Sequence, residues 1–205
     1  MTESDFRILL ATQPLDQVVQ NHIFDGEVHF FRRNARHYEL LRDHLVPRLN
    51  VASRTNLRVI GSAKLGFSLD PAAFPRAFSA KSDIDVIVVD EDLFDQIWFS
   101  VLRWHYGQPG RELVYRAREW MRHRRYELYW GSFDPAEISP VNVQDPARLK
   151  EIRDFSHSWF DAFQSLTRLT PFAGRTISGH LYRTWRHALL YQISGLAEIK
   201  ATLRI

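Results

Sequence analysis

Residues 58–90 read RVIGSAKLGFSLDPAAFPRAFSAKSDIDVIVVD, and the two ends of that stretch decide the fold. At one end an apolar run, Leu57, Val59 and Ile60 around Arg58, stops at Gly61-Ser62. At the other, Asp83-Ile84-Asp85 leads into Val86-Ile87-Val88-Val89. Four β-branched residues in succession mark a strand covered on both faces. Residues i and i+2 of a strand point to one side, so Asp83 and Asp85 face one way and Ile84 faces the core. Two carboxylates this close repel, and burial disfavours their charged forms further. A divalent cation relieves both effects, and carboxylate, water and phosphate oxygens are the ligands magnesium prefers.

The Gly-Ser end offers the complementary chemistry. A strand that ends in Gly-Ser and turns into a helix leaves backbone N–H groups and a hydroxyl free for phosphate. Gly61 has no Cβ, so the backbone can approach a ligand closely. Lys64 adds a point charge for a phosphate oxygen. Taken singly, each signal has a plainer reading: Asp83 as an exposed turn residue, Ser62 as the N-cap of a short helix.

Taken together, IGS, a spacer and SDIDVIVV resemble the nucleotidyltransferase superfamily, the DNA polymerase beta-like fold. Gly61, Ser62, Ser82, Asp83, Ile84, Asp85 and Val86 carry the resemblance. It covers residues 57–90; the rest of the chain follows only in loose element order. It implies a Mg²⁺- or Mn²⁺-dependent enzyme that moves a nucleoside monophosphate from a nucleoside triphosphate such as ATP to an acceptor hydroxyl on a protein, an RNA or a small molecule. Asp83 and Asp85 would be the catalytic metal ligands. Gly61 and Ser62 would cradle the phosphates, with Lys64 and Ser82 completing the nucleotide site.

Two features depart from the family pattern. Twenty residues, 63 to 82, separate Ser62 from Asp83, a longer spacer than many small members use. The excess forms an inserted loop, 66–82, whose aromatics act either as a base-stacking lid or as a packed loop. Active members also carry a third carboxylate on a later strand. Glu127, in RRYELYW, is the best candidate, while the better strand, TISGHLYR (176–183), holds no acid and puts Ser178, His180 and Tyr182 on one face, with His180 where that carboxylate would stand. A second reading therefore stays open: a catalytically reduced module of the same fold, used for nucleotide sensing or partner binding, as in toxin–antitoxin or phage-defence systems.

Outward from this stretch, residues 1–29 lack a clean period and read as an N-terminal arm with one short helix. Phe31, Ala35, Tyr38, Leu41 and Leu45 give a helical stripe over 30–46, ended by Pro47. Asp90-Glu91-Asp92 suits a helix N-terminus, followed by Leu93, Ile97, Val101 and Trp104. A further helix spans 111–125 with Leu113, Ala117, Trp120 and Met121 inward. Phe155, Trp159, Phe160 and Phe163 mark another, and Leu189 to Leu203 a last amphipathic one. The expected architecture is one α+β domain over 1–205, with a small mixed sheet flanked by helices and a C-terminal helix.

Composition narrows the classes. The chain has no Cys, which excludes a disulfide framework, a thiolate nucleophile and a Cys-based zinc site, and suits a reducing cytoplasm. MTESDFRILL has acids where a signal peptide has bases. No run approaches the roughly 18 apolar residues of a membrane helix, so no membrane partner is expected. A net charge of +3 permits a phosphate-bearing partner without demanding one. Arg118–His123 and Arg175–His180 share an Arg-x₄-His spacing with a family of helical ribonucleases, whose all-helical setting the strands oppose.

Overall fold

The apolar run Val86–Val89 becomes the middle of a four-stranded sheet. β1 (Leu57–Ile60), β2 (Ile84–Val89), β3 (Ser132–Phe133) and β4 (Ile177–Tyr182) lie in the order β1-β2-β4-β3. β1 and β3 run antiparallel to their neighbours, and β2 runs parallel to β4. The computed structural model describes residues 1–106, 115–135 and 150–205, the stretch 115–121 by its backbone alone. Its helices are α1 (Glu3–Thr12), α2 (Leu15–Val18), α3 (Arg36–Leu49), α4 (Gly61–Leu65), α5 (Glu91–Tyr106), α6 (Tyr115–Tyr129), α7 (Lys150–Leu166) and α8 (Trp185–Leu203). The fold is thus mixed α+β with a small mixed sheet and a C-terminal helix, as expected.

The two-residue period of the strands divides the core in two. Leu57, Val59, Ile84, Val86, Val88, Ile177 and Leu181 face one layer with α3, α5 and α7. Ile87, Val89 and Tyr182 face the other, with α1, α2, α4 and α8. Gly179 lets α7 lie close on the first face: a Cβ there would overlap the Phe163 ring and stand 2.9 Å from Trp159 Cζ2. Asp90 closes the end of β2. Its Oδ1 accepts the Leu93 N–H at 3.0 Å as the N-cap of α5, and its Oδ2 accepts the Ala52 N–H at 3.1 Å.

Several sequence expectations change. Residues 1–29 hold more than one short helix: α1 is followed by α2, which runs on through a π-helical turn, Val19–Phe24, and Phe6, Leu10, Val18, Val19, Ile23 and Phe24 are buried. Their contacts are with α8 and the inserted loop, so no local period announces them. Pro47 does not end its helix. It sits in the last turn of α3, which ends at Leu49 and is closed by Asn50 at φ 55. The helix expected from 111 runs on to Tyr129; Leu113, and the side chains of Ala117, Trp120, Met121 and Arg118, lie outside the described residues. β3 is too short for any period to reveal. Among the described residues, no helix is long and apolar enough to cross a membrane.

Candidate functional site

Antiparallel pairing of β1 with β2 sets Ile60 opposite Asp85. The residue after Ile60, Gly61, therefore starts α4 against the Asp85 carboxylate. Gly61 takes φ +63, and a Cβ built on it would stand 3.0 Å from Asp85 Oδ2. Glycine suits the left-handed backbone here, and a Cβ would press on the Asp85 carboxylate. The hydroxyl of Ser62 is not a helix cap: α4 has no side-chain cap, and among the described residues this hydroxyl has no hydrogen bond.

Gly61 and Ser62 line a cleft of about 470 Å³ with Ser82, Asp83 and Asp85. Asp83 is exposed just before β2, and Asp85 is half-buried within it. The structure therefore brings together the sequence-predicted residues except Lys64. That side chain is buried, and its ammonium donates to the carbonyl oxygens of Asp25 and Gly26 on the far side of α4. Burial lowers its pKa from 10.5 to about 8. Lys64 pins α4 to the turn at Asp25-Gly26 and is not among the residues lining the cleft.

Burial pushes the Asp85 carboxyl above its ordinary range, and the neighbouring charge of Asp83 adds to this. A hydrogen bond from Ser178 Oγ to Asp85 Oδ1, at 3.1 Å, opposes both. A carboxylate that resists ionisation beside a second carboxylate is one that a cation stabilises. The donor set fits one divalent ion with two protein ligands, the rest of its shell being water and phosphate oxygen. Among the described residues, no group of three or more His, Asp or Glu gathers to hold a metal.

The third position differs from expectation. Parallel pairing sets Ser178 beside Asp85, so the place next to the pair on β4 is a hydroxyl. His180 stands farther along that face, opposite Ile87, packed against Tyr182 and Tyr191 with its Nε2 buried and, among the described residues, without a hydrogen bond. Burial lowers its pKa to about 4, so it is a neutral ring inside the fold. Glu127 is not on a strand: it lies in α6, where Arg124 Nη1 donates to its Oε2 at 2.7 Å. The i, i+3 spacing of a helix gives that pair its geometry.

No protein-family model, curated protein or solved structure matches the chain. The sequence reading missed five polar residues of the cleft: Ser68, Asp70, Arg76, Ser79 and Lys81. All belong to the inserted loop, which has no hydrophobic period to place it. Its aromatics settle as packing: Phe67 and Phe74 lie against Phe6, with ring centroids 5.5 and 6.5 Å away, and Phe78 lies 5.8 Å from Phe30. The Arg-x₄-His reading loses its setting to the sheet, and Arg175 is held by loop carbonyls at Ser79 and Ser82.

Proposed function

We propose that the cleft binds a nucleoside triphosphate with Mg²⁺ or Mn²⁺ and transfers its nucleoside monophosphate to an acceptor hydroxyl on a protein, an RNA or a small molecule. The observation that supports this most is the meeting of Gly61 and Ser62 with Asp83 and Asp85 in one cleft, through the pairing of Ile60 with Asp85. Asp83 and Asp85 hold the ion, whose contribution when bound is to neutralise charge on the phosphates. The Gly61 backbone lies against the phosphates, because nothing but hydrogen projects from it. Ser62 and Ser82 offer hydroxyls to phosphate oxygens. These residues act by positioning and by charge complementarity, with no covalent step of their own.

One observation favours the second reading, a catalytically reduced module for nucleotide sensing or partner binding. The residue beside Asp85 on β4 is Ser178, a hydroxyl where a third carboxylate would complete the ligands. The two readings separate in a transfer screen. α-Labelled ATP and GTP are offered with Mg²⁺ or Mn²⁺ to protein, tRNA and small alcohols, using the wild type and Asp83→Asn/Asp85→Asn. Label transfer that the double variant loses supports the enzyme. Metal-dependent nucleotide binding with no transfer supports the module. Identical nucleotide binding by both proteins overturns the metal site in either form.

A further inference from the structure

Much of the cleft around Asp83 and Asp85 is lined by the inserted loop. Phe67 pairs with Ala77 in an isolated antiparallel bridge, the Ser68 N–H donates to the Arg76 carbonyl at 2.8 Å, and the Phe78 N–H donates to the Gly66 carbonyl at 2.8 Å. Farther on, Arg175 Nη1 donates to the carbonyls of Ser79 and Ser82, both at 3.0 Å. The same guanidinium lies 4.8 Å from the Phe30 ring centroid and 5.0 Å from that of Phe78. The backbone carrying Arg76 and Lys81 is thus tied on both sides of these residues.

Both side chains are exposed and both line the cleft with the carboxylates. Neither forms an ion pair among the described residues, even though Asp70, Asp83 and Asp85 line the same space. The serines between them have local roles for their oxygens. Ser68 Oγ accepts the Asp70 N–H at 3.1 Å, Ser79 Oγ accepts the Lys81 N–H at 3.2 Å, and Ser82 Oγ accepts the Ser79 N–H at 3.0 Å. Ser79 and Ser82 also share a long hydroxyl–hydroxyl contact at 3.5 Å, so Ser68 and one of that pair keep a hydrogen that suits an anionic oxygen. A cleft lined by carboxylates and by two cations that form no ion pair among the described residues matches a ligand that carries both signs: a polyphosphate with a divalent ion.

We infer that Arg76 and Lys81 are the polyphosphate-binding cations of this cleft, so that the inserted loop does the work the sequence assigned to Lys64. The identity of the full ligand as a nucleotide rests on the reading above; the anion subsite rests on the loop geometry. The test separates the two. Inorganic tripolyphosphate without metal is titrated calorimetrically, and Mn²⁺ alone is titrated by electron paramagnetic resonance. The proteins are the wild type, Arg76→Gln/Lys81→Gln and Asp83→Asn/Asp85→Asn. The glutamine variant is expected to bind tripolyphosphate at least about tenfold more weakly. Its thermal midpoint stays at the wild-type value, since both side chains are exposed, and its Mn²⁺ affinity is equal to wild type or higher, because positive charge has left the cleft. The asparagine variant loses Mn²⁺ and binds tripolyphosphate as tightly as wild type or more tightly, because negative charge has left the cleft. The charge-keeping swap Arg76→Lys/Lys81→Arg restores most of the affinity. Equal tripolyphosphate binding by wild type and the glutamine variant overturns the inference. So does a wild type that does not bind tripolyphosphate at all. Failure of the wild type to bind Mn²⁺ overturns the nucleotide reading instead and leaves the anion subsite standing.

Discussion

The two faces of the sheet share every strand yet end in opposite states. On the face of Ile84, Val86, Gly179 and Leu181, helices α3, α5 and α7 cover the strands along their length, and the first residue of β2, Ile84, is already fully buried. On the other face α1, α2 and α8 cover Ile87, Val89 and Tyr182, while Asp85 is half-buried and Ser178 exposed. The cover stops before the strands do. That uncovered end is where Gly61 turns back and where the inserted loop adds a wall. A site arises where strand backbone fixes the groups and, among the described residues, no helix fills the space above them.

The comparison can be broken first on the closed face. Gly179→Ala adds a methyl that overlaps the Phe163 ring, and overpacking of this kind costs about 3 kcal/mol. Urea unfolding measures it, and a loss under about 1 kcal/mol would mean the face gives more than its packing implies. The open end should respond to ions instead. At a Mn²⁺ concentration about a hundredfold above the dissociation constant, wild type gains about 2.7 kcal/mol and Asp85→Asn gains none. The pH dependence has a definite sign. The Asp85 carboxyl is raised in the folded chain, so its contribution is full at low pH and is lost as pH rises through the window above 3.8. Asp85→Asn is therefore the more stable protein at neutral pH without divalent ions, and a less stable variant would contradict the burial argument.

Lys64→Met sharpens the contrast between a cation that builds the site and cations that use it. The carbonyls of Asp25 and Gly26 lose their donor, for a loss of roughly 1–3 kcal/mol. Tripolyphosphate affinity stays within about twofold of wild type, well short of the tenfold of one strong contact. Lys64 binds its proton less tightly in the fold than in the unfolded chain. Wild-type stability accordingly gains from this group as pH rises from about 8 to 10.5, and the Met variant lacks that gain. The smallest effect is expected at His180→Phe. Its buried Nε2 has no partner to lose, so stability at neutral pH changes by less than about 1 kcal/mol. The folded pKa near 4 lies below 6.5, so the wild type loses stability as pH falls through that window, and the Phe variant does not. Equilibrium unfolding at a series of pH values reads both effects.

The two ends of residues 58–90 were legible because their signals are local. Four β-branched residues in a row favour a strand, Asp85 takes its side from its place in that strand while Asp83 stands just before it, and Gly-Ser ends the preceding strand. The mixed α+β class followed from the same reading. Other parts were hidden because their reasons lie elsewhere in the chain. The first 24 residues are ordered by α8 and the inserted loop, not by a period of their own. Glu127 reads as strand by its aromatic neighbours and is helical because α6 runs on to Tyr129. Ser178 became the neighbour of Asp85 only through the parallel register of β2 and β4, which no single strand encodes.

By itself the sequence determined the carboxylate pair, the glycine before it and the length of the loop between them. Tertiary structure decided which cation belongs to which part. Lys64 follows Gly61-Ser62 in the chain, but a helix turn carries its side chain away from the cleft and into the carbonyls of Asp25 and Gly26. Arg76 and Lys81 sit in a stretch without regular structure, and Arg175 and the Phe67–Ala77 bridge hold that stretch against the cleft. Spacing along a chain fixes direction only within a helix or a strand; between them, packing sets it.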